Sequence, residues 1–237
     1  MSVGLQVGLH LAEIAAPTVG NVHHMTADDR TDISGMFDPN ALIIRAEVHI
    51  VGIKPVISRT LELPMDLNLA QLHEVLQAAF GWTDSHLHQF NIGGLVYGAP
   101  EFDDGGVGSS RTFEASEVRL SDFSFTSPPV LLCYEYDFGD GWKHAMSLTT
   151  HRREEGITYP RCIDGSRAGP PEDSGGPYAY ADFVAAWRDP LHGSHKEVRQ
   201  WVGRRYNPER FDLNKINKAI ASAMRRSRGG YRFRHES

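Results

Sequence analysis

The chain has 237 residues, 41% of them hydrophobic and 23% charged, with a net charge of −6. That length buries a real core in one large domain, and the composition is that of an ordinary soluble globular protein. No apolar run approaches the roughly 18 residues a membrane span needs, and two cysteines, Cys133 and Cys162, make no disulfide scaffold.

The N-terminus lacks the basic-then-apolar order of a signal peptide, because Glu13 and several polar residues break the run. The chain therefore reads as cytoplasmic. Charge is uneven. From Arg204 to the end there are ten Lys+Arg against three Asp+Glu, a balance of +7 that leaves −13 on the remainder. A basic end on an acidic body opens nucleic-acid contact through the C-terminus as one reading. A solvated tail, or an internal complement to the acidic face, is the blander one, and the acidic body would repel a phosphate backbone.

Residues 1–38 carry no firm period and read as a flexible leader, with one short helical turn near Leu9 to Ala15. Ala41 to Val51 is a strand rich in β-formers. Gly52-Ile53-Lys54-Pro55 breaks it, and Val56 to Leu63 resumes with Ile57, Leu61 and Leu63 on one face and Arg59 between them. Asn68 caps a helix and Gln71 sits at capping-box spacing. Leu69, Leu72, Leu76, Ala79 and Phe80 recur at helical spacing, and Gly81 ends the run. His86 to Ile92 reads as the next strand, with His86, His88, Phe90 and Ile92 on one face. Asp103 to Ser110 is an acidic, Gly-rich loop, and Leu120 to Phe123 a short turn.

Leu131 to Phe138 and Trp142 to Thr150 form a hairpin. Asp140-Gly141 is a two-residue type I′ turn signal, since both central positions need φ > 0. That turn sets Gly139 against Trp142, Phe138 against Lys143 and Asp137 against His144, so a carboxylate and an imidazole are expected in contact. Tyr159 to Pro177 is too rich in Gly and Pro for regular structure; a loop this long is functional or disordered, and its Cys, Glu and Asp keep the first option live. Tyr180 to Arg188, Lys196 to Val202 and Asp212 to about Met224 are helical, with Asp212 as a cap.

This order is α+β: a curved, mostly antiparallel sheet with one helix in the N-terminal half and a C-terminal helical segment. The expected organisation is a leader over 1–38, a single domain over 39–224 and a basic disordered tail over 225–237.

The pieces Gly52-Ile53-Lys54-Pro55 with Arg59, Leu72-His73, Phe80-Gly81-Trp82, His86-Leu87-His88-Gln89-Phe90, Tyr136 through His144, Pro170 through Gly176 and Asn207 through Asp212 occur in fixed order. In this the chain closely resembles the Ri-plasmid open-reading-frame-three-like family, also labelled insertion-element resolvase-like (TnpR-like) passenger proteins, over about residues 41 to 220. Ser58 departs from the family pattern, in which an aromatic residue precedes the arginine. The resemblance implies an α+β fold of a curved sheet with helices and an association with mobile elements, and little about activity. A serine recombinase needs a nucleophilic serine with clustered arginines in an N-terminal catalytic domain, which the leader-like N-terminus does not supply.

Imidazole, carboxylate and thiolate hold Zn²⁺ or another divalent metal three or four at a time. His88, Asp140, His144 and Cys162 are the expected ligands, with His86 and Asp137 as outer partners that orient them. Glu172 and Asp173 are the expected catalytic carboxylates, taking a proton from a metal-bound water in metal-assisted hydrolysis. Trp82, Phe90, Tyr136 and Trp142 line the pocket or, more commonly for aromatics, fill the core. Two alternatives stand beside this reading: a nucleic-acid-associated accessory protein, and a non-catalytic interaction module whose hairpin and Pro-Pro loop dock a small molecule or a protein.

Overall fold

A computed structural model describes residues 41–100, 111–123 and 129–227. The leader over 1–38, the acidic stretch 103–110 and the chain past Ser227 lie outside the described residues. Among the described residues eight strands run in chain order: β1 Leu42–Ile50, β2 Ser58–Pro64, β3 His88–Ile92, β4 Leu95–Gly98, β5 Thr112–Glu114, β6 Val130–Tyr136, β7 Trp142–Arg152 and β8 Arg161–Ser166. They form one open sheet in the order β5-β4-β3-β6-β7-β1-β2-β8. Every pairing is antiparallel except β4 with β5. The α-helices among the described residues are α1 Leu69–Phe80, α2 Gly176–Arg188, α3 His195–Val202 and α4 Leu213–Ser227. The expected α+β class is the one observed.

α1 forms as its sequence dictates. The Asn68 side chain accepts from Gln71 N–H, the Gln71 side chain accepts from Asn68 N–H, and Gly81 closes the helix in the left-handed conformation. Its apolar stripe sinks into the core with Leu69, Leu72, Val75, Leu76 and Ala79 fully buried. Period two in the strands sends Ile44, Ala46, Val48 and Ile50 of β1 and Leu132, Tyr134 and Tyr136 of β6 to that same core. α1 packs against α4, and α4 against β8. Asp212 caps α4, its carboxylate accepting from Lys215 N–H at 3.0 Å.

Arg59 sits on the core face of β2, 2% exposed, and donates to the carbonyls of Ala79, Ser58 and Ser166. Burial lowers it to about 10. It ties the end of α1 to the sheet edge. Ser58 Oγ lies 3.0 Å from Ser166 Oγ and stitches β2 to β8.

Three expectations are corrected. The hairpin is not closed by a two-residue turn: Tyr136 faces Trp142, Glu135 faces Lys143 and Tyr134 faces His144, a slip of three residues. The cause is Asp137. It adopts φ +56°, and its Oδ1 accepts from the amides of Gly139 and Asp140 at 3.1 and 3.2 Å. An Asx-type bond of this kind makes a longer loop cheaper than the tight turn. An odd slip moves Asp137 off the face of His144. Second, β8 lies inside the stretch read as irregular. It is an edge strand, and Asn217 of α4 substitutes for a neighbouring strand: it accepts from Cys162 N–H and donates to Cys162 C=O. Third, α2 starts at Gly176, four residues before the expected Tyr180, with Pro177 in its first turn.

Candidate metal centre

Four connections meet at one end of the sheet, and nearly every motif of the sequence lies on them. Trp82 Nε1 donates to Pro170 C=O, joining the α1–β3 loop to the β8–α2 loop. Thr83 N–H donates to Glu172 at 2.7 Å. Asp137 N–H donates to Leu87 C=O, joining the hairpin loop to the same place. Asp140 Oδ2 accepts from Gly175 N–H at 2.9 Å, at the start of α2. The β1–β2 turn closes the group through Val51 N–H to Lys143 C=O.

Three side chains from three of these loops converge there. His86 Nε2 lies 3.0 Å from Asp173 Oδ1 and 3.6 Å from Asp137 Oδ2. One ligand-type atom of each of the three residues lies within 4.8 Å of the others. Asp137 divides its two oxygens, one holding the turn and the other aimed at His86. Its side chain is 11% exposed, that of His86 31%, and that of Asp173 72%, so the group opens to solvent on the Asp173 side. Asp137 and Asp173 are both left-handed, at φ +56° and +55°. Left-handed non-glycine residues are uncommon and gather where the surroundings over-determine a site.

Glu172, next to Asp173, is held firmly. Its Oε1 accepts from Thr83 N–H, Thr83 Oγ1 and Tyr136 OH, and its Oε2 from Tyr136 OH at 3.2 Å. Burial and then the Glu172 charge raise the Tyr136 phenol, so it stays a donor.

A second group, His73, Asp84 and His88, lies deeper. His73 Nε2 is 2.8 Å from Asp84 Oδ1, and its Nδ1 is 2.8 Å from Tyr134 OH. A carboxylate only accepts, so Nε2 carries the hydrogen. His88 stacks on His73 with ring centroids 3.5 Å apart and planes at 9°. An ion shared by two parallel rings would sit about 1.8 Å out of each plane, comparable to a whole Zn–N bond of about 2.0–2.1 Å. The His73 group is thus built as a buried hydrogen-bond chain, and the His86 group has the freer donors.

The four expected ligands are not gathered. His88 belongs to the stacked pair. His144 is fully buried, with ring centroids 4.8 Å from Phe80 and 5.2 Å from both Trp82 and Tyr134. Its Nδ1 faces the carbonyls of Trp142 and Tyr134, which fix the tautomer in place of Asp137. Desolvation drops it to about 3. Asp140 anchors α2. Cys162 is 2% exposed beneath α4, and burial pushes its thiol up to about 11. His86 and Asp137, expected as outer partners, are two of the three converging groups, and Asp173, expected as a base, is the third. His73 and Asp84 were missed as site residues; the sequence signals were the Leu72-His73 motif and an aspartate just past the helix-ending Gly81. Trp82, Phe90, Tyr136 and Trp142 are core residues.

A family model described as plasmid pRiA4b ORF-3-like protein matches residues 42–215. The chain is 35% identical over 183 residues to uncharacterized protein y4hQ of Sinorhizobium fredii (strain NBRC 101917 / NGR234), covering 76% of this chain and 91% of that one. It is also similar to the crystal structure of the protein of unknown function MM3350 from Methanosarcina mazei Go1, with 31% identity and a TM-score of 0.64, covering 73% of this chain and 96% of that one. Among the described residues no helix is long and apolar enough to cross a membrane.

Proposed function

The chain belongs to the plasmid pRiA4b ORF-3-like family, and from that premise we propose that it is a divalent-metal-binding protein whose centre is His86, Asp137 and Asp173. The observation that carries this reading is the convergence of one imidazole and two carboxylates, from three separate loops, within 4.8 Å. One nitrogen and two oxygens suit Zn²⁺, Mn²⁺ or a similar ion, and three protein ligands leave a coordination position for water.

Metal-assisted hydrolysis is the chemistry such a centre supports. A divalent ion acidifies a bound water toward neutral pH. Glu172 is the adjacent carboxylate to receive its proton, and its Oε2 takes fewer hydrogen bonds than its Oε1. In this reading Asp173 is a ligand and Glu172 alone is the base. A mobile-element or nucleic-acid role through the basic C-terminus is the alternative, and three of its ten Lys+Arg lie past Ser227, outside the described residues.

Elemental analysis of the purified full chain, after dialysis against Zn²⁺ or Mn²⁺, tests the proposal. One ion per chain, lost in Asp173→Asn, is expected. The Asp173 side chain is 72% exposed and Asn keeps its shape, so this variant should fold. Equal metal content in both proteins, or none in either, would overturn the reading.

A further inference from the structure

α4 exposes Asn214, Lys215, Lys218, Ala221, Arg225 and Arg226. Four of these are cations, and the 15 residues of the helix contain no Asp or Glu. Its other side is occupied: Ile216, Ile220 and Ala223 are buried where α4 packs on α1 and β8.

A helix face kept polar only for solubility interleaves opposite charges at i, i+4, because each such pair stabilises the helix. α4 does the reverse. Lys215 and Lys218 are like charges one turn apart, and Lys215 stands in the first turn, where the positive end of the helix disfavours a cation. Among the described residues none of the four cations lies against a carboxylate, and Arg226 donates instead to Ser222 Oγ at 2.9 Å. The exposed cations Lys143, Arg188 and Arg210 each meet an acid, at Glu135, Glu209 and Asp212. The fold thus leaves on α4 a repulsion that it neutralises at those three positions.

We propose that this face of α4 binds the phosphate backbone of duplex DNA without reading its sequence. From Lys215 to Arg226 the cations span about 16 Å of helix axis, and duplex DNA carries one charge per roughly 1.7 Å of its own axis, so all four find phosphates at once. α4 has no aromatic side chain, and so no platform on which the bases of a single strand would stack. Asn214 is the one exposed amide on the helix, too little to read base edges. Duplex RNA is held partly through its 2′-hydroxyls, and the side-chain hydroxyl beside the cations, that of Ser222, already accepts from Arg226. A helix lying on a membrane turns an apolar face to the lipid, whereas α4 turns that face to the core. Excess acid on the rest of the chain repels a duplex elsewhere and so orients the encounter toward α4. This gives the nucleic-acid reading of the basic C-terminus a defined surface, and it does not rest on the metal centre.

Fluorescence anisotropy of a labelled mixed-sequence DNA duplex of about 20 base pairs, titrated with the full chain at several KCl concentrations, tests the proposal. Four phosphate contacts give log K against log salt a slope of about −3.6, roughly a hundredfold loss between 50 and 200 mM. Lys218→Ala/Arg225→Ala should weaken binding and make the slope shallower by about 2. Alanine is the best helix former, so this variant should keep its melting temperature. Lys218→Arg/Arg225→Lys, which keeps both charges, should bind as the original chain does. Asp173→Asn should also bind DNA unchanged, which separates this result from that at the metal centre. Full binding in Lys218→Ala/Arg225→Ala, with loss in Arg228→Ala/Arg232→Ala/Arg234→Ala, would place the contact past Ser227 and overturn the proposal. So would tighter binding to duplex RNA or to a single strand of the same length, binding to phosphatidylserine-containing vesicles but not to DNA, or no DNA binding at the lowest salt.

Discussion

His73 and His88 lie face to face, their rings 3.5 Å apart and nearly parallel, beneath the loop that carries His86. Two cations cannot be held so, and burial followed by the His73 charge keeps His88 well below its ordinary value. His144, packed among Phe80, Trp82 and Tyr134, is lowered to about 3 by burial. The core therefore contains imidazoles that are neutral when folded and free to protonate when unfolded.

Acid should destabilise the fold well before carboxylates titrate. A base whose folded value lies below its unfolded one contributes stability that is whole above the unfolded value, 6.5 for His144, and is lost as pH falls toward 3. At pH 5 His144 alone accounts for a loss of about 2 kcal/mol relative to pH 7, and His88 adds in the same direction. Urea unfolding at the two pH values measures this, and His144→Phe should flatten the slope.

Asp140→Ala should cost about 1 kcal/mol. The residue accepts from Gly175 N–H just ahead of α2, the service an N-cap side chain performs, and its charge faces the positive end of the helix. Asp140→Asn, which keeps the acceptor, should lose less in thermal denaturation.

Gly176→Ala should be far worse, by about 3 kcal/mol or more. A Cβ there would lie 2.1 Å from Asp140 O, and Gly176 sits at φ +75°. Neither the backbone of the hairpin loop nor that of α2 can yield without parting, so chemical denaturation should show a strongly destabilised chain.

Asn217→Ala should expose the sheet edge. The side chain satisfies both the N–H and the C=O of Cys162. Leaving both unpaired costs about 1–3 kcal/mol and frees β8 for pairing with another chain. Denaturation and light scattering read the two effects separately.

Much of the fold was legible because local chemistry decided it. Asn68, Gln71 and Gly81 bounded α1 by their own hydrogen bonds, and Asp212 announced α4. The hairpin was legible as a pair of strands but not in register, because a side chain, Asp137, overrode the backbone preference of Asp140-Gly141. β8 was hidden because an edge strand satisfied by Asn217 needs no alternating apolar pattern. The residue types of the centre were visible, yet their grouping was not. His86 and His88 are neighbours in sequence spacing, and a strand would set them on one face. β3 begins only at His88, so His86 turns to the loops while His88 enters the core. Convergence of loops depends on tertiary bonds such as Trp82 to Pro170, which no periodicity records.

The most direct measurement is calorimetric titration of the full chain with Mn²⁺ and Zn²⁺, beside Asp173→Asn and Cys162→Ser. A site at His86, Asp137 and Asp173 predicts one ion per chain, weakened by about tenfold or more in Asp173→Asn and unchanged in Cys162→Ser. Binding that survives Asp173→Asn intact but disappears with Cys162, or no binding at all, would contradict it.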